Sequence, residues 1–128
     1  MKTTLLACLA LLLGTVILSA PLLAHHGNSA YDLNKTVTVT GTVTKWQLIN
    51  PHSGIWIEVK DAQGNVQVWS GEFGGALDLY RRLRWNKDTF KLGDQVTLTG
   101  NPAKNGSYAI YTRKVILPSG KEVDMSGT

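Results

Sequence analysis

The fold class of this chain is decided by residues 36–44, which read TVTVTGTVT. Thr and Val alternate there with a period of two, the side-chain period of a β-strand, and both are β-branched residues that strands favour. After Lys45 the apolar residues continue at Trp46 and Leu48, on different parity. This change of phase predicts a β-bulge or bend near Thr44-Lys45, which would let a long first strand turn the corner of a small barrel.

A hairpin and a helix follow along the chain. Residues 55–59 and 66–68 alternate in the same way and flank a turn at residues 61–64. They predict two strands joined by a tight turn in which Gly64 takes a left-handed conformation. From residue 76 the apolar period becomes i, i+3, i+4, i+7, which predicts a short helix with the stripe Ala76, Leu79, Tyr80 and Leu83.

The remaining strands complete the predicted fold. Residues 95–100 and 108–117 return to strand patterning, and residues 121–123 could add a short edge strand. A long bent first strand and a helix between strands 3 and 4 predict a mainly β fold, a five-stranded OB-like antiparallel barrel with one short helix. Another small antiparallel barrel or a sandwich is the alternative. The predicted core packs on Leu79, Tyr80 and Leu83 and consists of Val37, Val39, Val43, Ile55, Ile57, Val59, Val66, Val68, Val96 and Leu98.

Residues 1–24 read as a secretory signal peptide, followed by a single domain over residues 25–128. The pattern is a positively charged start, an apolar run and a small-residue exit ending at Ala24. Cleavage after Ala20 is an alternative, although Pro21 would then follow the cut. An uncleaved membrane anchor is another, because the apolar stretch approaches the roughly 20 residues that a span requires. We therefore expect a periplasmic or secreted protein.

Composition excludes several kinds of chemistry. Cys8 is the only cysteine, and it would leave with the signal, so a disulfide framework, thiol catalysis and a cysteine zinc site are excluded. Export and a formal net charge of only +4 argue against nucleic acid as a partner. No nucleophile–base pair, phosphate loop or pair of acids at suggestive spacing is evident, so we do not expect an enzyme.

The histidines are the strongest candidates for a binding site. Cleavage after Ala24 would give His25 a free α-amine beside the ring of His26, and His52 lies in an Asn-Pro-His turn. An amine and imidazole nitrogens together favour Cu(II) or another borderline metal. We therefore predict a possible copper site with His25, His26 and His52 as ligands and Glu72 as a possible oxygen ligand. The alternative is a polar arm and a histidine that only bonds the backbone.

Tryptophans form a second candidate site, for a glycan or another flat ligand. If Ile57 pairs with Val68, then Trp56 and Trp69 are neighbours on the outer face of the hairpin, with Trp46 nearby as a third candidate. In an OB-like barrel this face commonly stacks bases or sugars on aromatic rings. The alternative is that these rings pack beneath the N-terminal arm or the C-terminal tail.

A basic cluster follows the predicted helix stripe. Its members are Arg81, Arg82, Arg84 and Lys87. The cluster could hold a phosphate or an acidic partner, or it could be a solvated helix end whose cations suit the helix dipole.

The ordered motifs of this chain resemble those of a family of small exported bacterial proteins known only as a domain of unknown function. The motifs are His25-His26, Gly41-Thr42-Val43, Asn50-Pro51-His52, the segment from Trp69 through Glu72 to Gly74-Gly75, the Gly-Asp-x-Val-x-x-x-Gly strand at residues 93–100, and Pro102-Ala103. The resemblance covers nearly all of the chain after the signal. It implies an exported OB-like domain and implies no activity.

Three functions remain open at this point. The first is a non-enzymatic periplasmic binding module that holds copper or a similar metal. The second is a barrel that binds a glycan or small ligand through exposed Trp, and the third is a structural or partner-binding envelope protein. In each case we expect a monomer with no stable membrane anchor after cleavage, whose partner is an unknown small ligand or envelope protein.

Overall fold

The computed structural model describes residues 28–127. The predicted signal peptide, His25 and His26 lie outside these residues, and their roles stay predictions. The elements in chain order are a short 3-10 helix (Asn28–Ala30), β1 (Val37–Gln47), β2 (Gly54–Lys60), β3 (Val66–Glu72), the helix α1 (Ala76–Leu83), β4 (Gln95–Pro102), β5 (Ala109–Ile116) and β6 (Glu122–Asp124).

Strand β1 is long because it continues past a bulge. Its pairing with β2 shifts register between Val43 and Lys45, which confirms the predicted irregularity. Residues 37–42 pair with β4, whereas residues 42–47 pair with β2. A bulge bends a strand and increases its twist, so one strand contributes to both halves of the barrel.

The strands close into a barrel through a short parallel contact. The sheet order is β3-β2-β1-β4-β5-β6, and an additional β3–β5 pairing closes it. That pairing is parallel and joins residues 70–72 to residues 109–111; we call it the seam. The predicted OB-like barrel with its helix between β3 and β4 is confirmed, and the seam is where it departs from a fully antiparallel arrangement.

Most of the predicted core is confirmed. Three of the predicted members were wrong, because Val66, Val68 and Tyr80 are 50%, 52% and 51% exposed. The confirmed residues are the buried Val43, Ile55, Ile57, Leu79, Val96 and Leu98, together with the partly buried Val37, Val39, Val59 and Leu83 that pack on them.

The register of the β2–β3 hairpin explains two of these errors. Its turn spans residues 61–65, which places Ile57 opposite Trp69 and not opposite Val68. A slip of one residue turns every side chain of a strand to the other face. Val66 and Val68 therefore face solvent, and Trp69 packs against the core. The left-handed conformation predicted for Gly64 is confirmed by its φ of 86°.

Helix α1 leads into an aromatic cluster beside the barrel core. Leu79 is the helix residue that is buried, and Tyr80 turns to solvent because the helix buries only a narrow stripe. The cluster packs its rings edge to face, with contacting centroids 5.0 to 6.1 Å apart, an arrangement that aromatic pairs prefer. Its members are Trp46, Phe73, Trp85 and Phe90.

Candidate functional site

The turn between β1 and β2 is fixed by hydrogen bonds to distant parts of the chain. The Ser53 amide donates to the Gly74 carbonyl at 3.0 Å, and the Phe73 amide donates to the Ser53 carbonyl at 2.9 Å. The buried Ser53 hydroxyl donates to the Ile49 carbonyl at 3.1 Å. These bonds fix the backbone of the turn relative to the barrel, and they therefore fix the position from which the exposed side chain of His52 extends.

The Asn50-Pro51-His52 turn packs directly against the Gly74-Gly75 pair that precedes α1. The Asn50 side-chain oxygen accepts a bond from the Leu77 amide at 3.4 Å in the first turn of α1. A Cβ atom at Gly75 would lie 2.7 Å from that oxygen and 3.0 Å from the Pro51 carbonyl oxygen. Only glycine lets these backbones approach so closely, which explains why the two motifs occur together.

A carboxylate connects this turn to the segment before β1, residues 28–36, which we call the N-terminal arm. Glu72 Oε1 lies 3.1 Å from His52 Nδ1, and Glu72 Oε2 accepts a hydrogen bond from the Tyr31 hydroxyl at 2.8 Å. The side chains of His52 and Glu72 are 43% and 31% exposed, so the pair is open to solvent. The structure therefore brings together two of the predicted ligands, His52 and Glu72, with Tyr31 as a third polar group.

Tyr31 anchors the arm to the barrel. It forms an isolated β-bridge with Ala103, and its ring centroid lies 5.7 Å from that of Tyr111. Burial, followed by the hydrogen bond to Glu72, raises the pKa of the Tyr31 phenol well above its usual range. The phenol therefore remains a protonated donor, and Glu72 can accept its bond across the neutral range.

These groups border a cleft of about 190 Å³. The cleft is smaller than the roughly 300–1,000 Å³ typical of sites for drug-sized molecules, so it suits an ion or a very small ligand. The residues that line it are Tyr31, Gln47, Ile49, His52, Ser53, Gly54, Trp56, Ser70, Gly71 and Glu72.

The tryptophans are separated by the fold. Trp46 belongs to the aromatic cluster and donates from Nε1 to the Asn86 carbonyl at 3.1 Å. Trp69 packs on the core and its ring lies 5.2 Å from that of Tyr108. The predicted platform of adjacent Trp56 and Trp69 was wrong, because the register places them on opposite faces of the hairpin. Trp56 lines the cleft.

No sequence pattern predicted a role for Tyr31 in this site. Tyr31 is the one aromatic residue among residues 27–34, and its side chain has a relative exposure of 9%. A lone aromatic in a polar segment is a weak sign of an anchor, and no spacing connects it to Glu72 or His52. The contact depends on the barrel fold, which brings residues 41 positions apart together.

Comparison with known proteins identifies the family. Residues 14–111 match the sequence profile of a family of unknown function, DUF6152. The match covers more than half of the chain, so the chain belongs to this family, and the resemblance to an uncharacterised domain family is confirmed. No curated protein matches the chain.

Solved structures share the fold at low sequence identity. A TiaS mutant in complex with agmatine matches with a TM-score of 0.51 and 16% identity, over 73% of this chain and 27% of that one. The mitochondrial single-stranded DNA binding protein Rim1 of S. cerevisiae matches at 0.47 and 8%, over 65% and 92%. The N-terminal domain of PriB from Thermoanaerobacter tencongensis matches at 0.47 and 16%, over 66% and 96%. At these identities the likeness concerns the fold alone.

Among residues 28–127, no helix is long and apolar enough to cross a bilayer.

Proposed function

We propose that this protein is a non-enzymatic exported binding module that holds Cu(II), or a similar metal, between His52 and the histidine pair that precedes its N-terminal arm. The observation that carries the proposal is the 3.1 Å contact between His52 Nδ1 and Glu72 Oε1. Metal-binding histidines commonly give one ring nitrogen to a carboxylate, which orients the ring and raises the basicity of the other nitrogen. His52 would then bind the metal through Nε2.

The anchoring of the arm supports the same site. Tyr31 bonds the second oxygen of Glu72, and His26 lies five positions before Tyr31 in the sequence. Five residues span at most about 18 Å even when fully extended. The length of the chain alone therefore limits how far the histidine pair can lie from Tyr31, and a short tether raises the effective concentration of a second group of ligands.

Glu72 has a supporting role in this proposal. Its two oxygens contact His52 and Tyr31, so its first role is to orient the imidazole, and its use as an oxygen ligand stays a prediction. No group of three or more His, Cys, Asp or Glu in the described part of the chain could hold a metal by itself. The proposal therefore depends on His25 and His26, with the α-amine of His25 as a further nitrogen donor.

Titration of Cu(II) into protein that begins at His25 tests the proposal. Intact-mass measurement of protein purified from its native compartment first establishes whether the chain begins there. One Gly added ahead of His25 displaces the amine, and His52→Ala removes the body ligand. Calorimetry should show each change weakening Cu(II) binding by at least tenfold, about 1.4 kcal/mol. The matched control Gln63→Ala, in the exposed turn at 61–65, should leave the affinity unchanged.

Two further outcomes separate this site from a loose polar arm. Glu72→Gln removes the charge that orients His52, and loss of such a partner typically costs about 10- to 100-fold in metal affinity. Binding should also weaken as the pH falls through the imidazole range, because protonated rings cannot ligate. If the protein binds Cu(II) no better than a free His-His peptide does, the arm is not part of a built site.

A further inference from the structure

The outward face of helix α1 carries apolar side chains where polar ones are the rule. Leu77, Tyr80 and Arg81 follow the spacing i, i+3, i+4 and so lie along one face, and Arg84, just past the helix end, joins them through its contact with the Tyr80 ring. Leu77 is 52% exposed and Tyr80 is 51% exposed, and both arginines are exposed. The opposite face already packs Leu79 into the core, so this second stripe serves no purpose in the packing of the barrel.

Arg84 occupies a position that favours glycine. It ends the helix with φ 59° and ψ 24°, in the left-handed region, where helices usually place Gly and where other residues are strained. Its guanidinium carbon lies 5.6 Å from the centroid of the Tyr80 ring, a cation–π contact. The chain therefore places a cation over an exposed aromatic ring at a position where Gly would make the folded protein more stable.

The same surface continues to the rim of the cleft. The Ala76 amide donates to the Ile49 carbonyl at 3.0 Å, and the Leu77 amide bonds Asn50. Ile49 is 50% exposed and lines the cleft. We name the surface formed by Ile49, Leu77, Tyr80, Arg81 and Arg84 the helix face.

The cations of the helix face lack acidic partners. Arg82, on the neighbouring side of the helix, is paired with Asp78 at 3.6 Å. Among residues 28–127, no salt bridge involves Arg81 or Arg84. Their charge is thus available to a carboxylate supplied from outside the chain.

We propose that the helix face docks an acidic, partly apolar segment of a partner protein. Tyr and Arg are among the side chains that most often dominate the energetics of protein interfaces, and two guanidinium groups that form no salt bridge within residues 28–127 select for acidic partners. A membrane-surface helix keeps its apolar and cationic residues on separate faces. Here Leu77 and Tyr80 are interleaved with Arg81 and Arg84 on one face, which favours a protein partner. The proposal does not depend on which ligand the cleft holds.

A synthetic acidic peptide is the probe. It forms an amphipathic helix with Leu and Glu on one face, and its control peptide carries Lys in place of Glu. Titration of the acidic peptide into the ¹⁵N-labelled protein should shift the amide signals of residues 49, 77, 80 and 84. The control peptide should not shift them. The double variant Arg81→Glu, Arg84→Glu should weaken binding at least tenfold. The matched pair Lys60→Glu, Lys121→Glu changes the net charge equally at other exposed positions and should leave binding unchanged.

A second variant guards against a loss of folding. Arg84→Gly suits the left-handed helix end, so it should fold at least as well as the parent protein while weakening the acidic peptide several-fold. Equal weakening by both charge-reversal pairs would overturn the proposal, because the effect would then follow net charge alone. Binding to phosphatidylglycerol vesicles without binding to the peptide would replace it with a membrane surface. Absence of binding to the acidic peptide would also overturn it.

Discussion

The two turns that flank β2 are built in opposite ways. The turn at residues 50–53 is held by long-range bonds to Gly74, Phe73 and the start of α1. The turn at residues 61–65 is closed by its own residues, with Asp61 accepting bonds from the Gln63 and Asn65 amides at 2.9 and 2.8 Å. The second turn only reverses the chain, whereas the first uses the fold to position a side chain. That contrast is why His52, and no residue of the 61–65 turn, belongs to the candidate site.

The largest expected effect comes from a methyl group added beside the first turn. Gly75→Ala places a Cβ 2.7 Å from Asn50 Oδ1, so the turn must shift, and overpacking of this kind typically costs about 1–3 kcal/mol. Gly64→Ala is the matched change in the second turn. It adds a side chain at φ 86° with nothing within 4 Å, so only backbone strain of about 1 kcal/mol is expected. Denaturant unfolding measures both free energies.

The position of the His52 ring can be compared in the same two variants, Gly75→Ala and Gly64→Ala. The NMR signals of the His52 ring should move in Gly75→Ala and stay in place in Gly64→Ala. Unchanged His52 signals and equal stabilities in the two variants would show that the first turn is no more tied to the fold than the second.

A smaller effect is expected from hydrogen bonds within each turn. Ser53→Ala removes a buried hydroxyl that bonds the Ile49 carbonyl, and loss of one such buried bond should cost about 1–1.5 kcal/mol. Asp61→Ala removes bonds that are exposed, so water replaces them and the cost should stay below about 1 kcal/mol. Thermal unfolding of both variants tests the order, and a reversed order would contradict the comparison.

The smallest expected effect concerns the link from the first turn to the arm, and it depends on pH. The raised pKa of Tyr31 means that the folded protein keeps a proton that the unfolded chain loses above about pH 10. The stabilisation is therefore complete below that pH and is lost as the pH rises beyond it. Unfolding experiments at pH 9 and pH 11 should show this extra loss in the parent protein and not in Tyr31→Phe.

Tyr108→Phe is the control for that experiment. Tyr108 is 48% exposed, and its ring contacts Trp69, which lies three residues before Glu72 in β3. This variant should keep the loss of stability between pH 9 and pH 11. A Tyr31→Phe protein that follows the same pH curve as the parent would show that the phenol is not the group responsible.

Much of the fold could be predicted from local patterns. The alternation at residues 36–44 identified β1, the phase change identified the bulge at Lys45, and the change of period identified α1. Each of these depends on residues close together in the chain, where side-chain periodicity is a direct consequence of backbone geometry.

The errors lie where the pattern allows two answers. The segment Val-Gln-Val-Trp at residues 66–69 alternates equally well with either set of residues inward, and only the length of the preceding turn decides between them. The contact of Tyr31 with Glu72 depends on closure of the barrel, which no local pattern encodes. For the candidate site, the sequence could therefore nominate His52 and Glu72 as residue types, but not predict their contact.

The seam between β3 and β5 has a consequence for the motions of the barrel. It joins only residues 70–72 to residues 109–111, so it is the shortest of the contacts that close the cylinder, and short contacts open at the lowest free energy. Ser70, Gly71 and Glu72 also line the cleft. A ligand bound in the cleft would hold the seam closed and so limit the opening of the whole barrel. If the Cu(II) binding proposed above is correct, amide hydrogen exchange at residues 70–72 should slow when the metal is added.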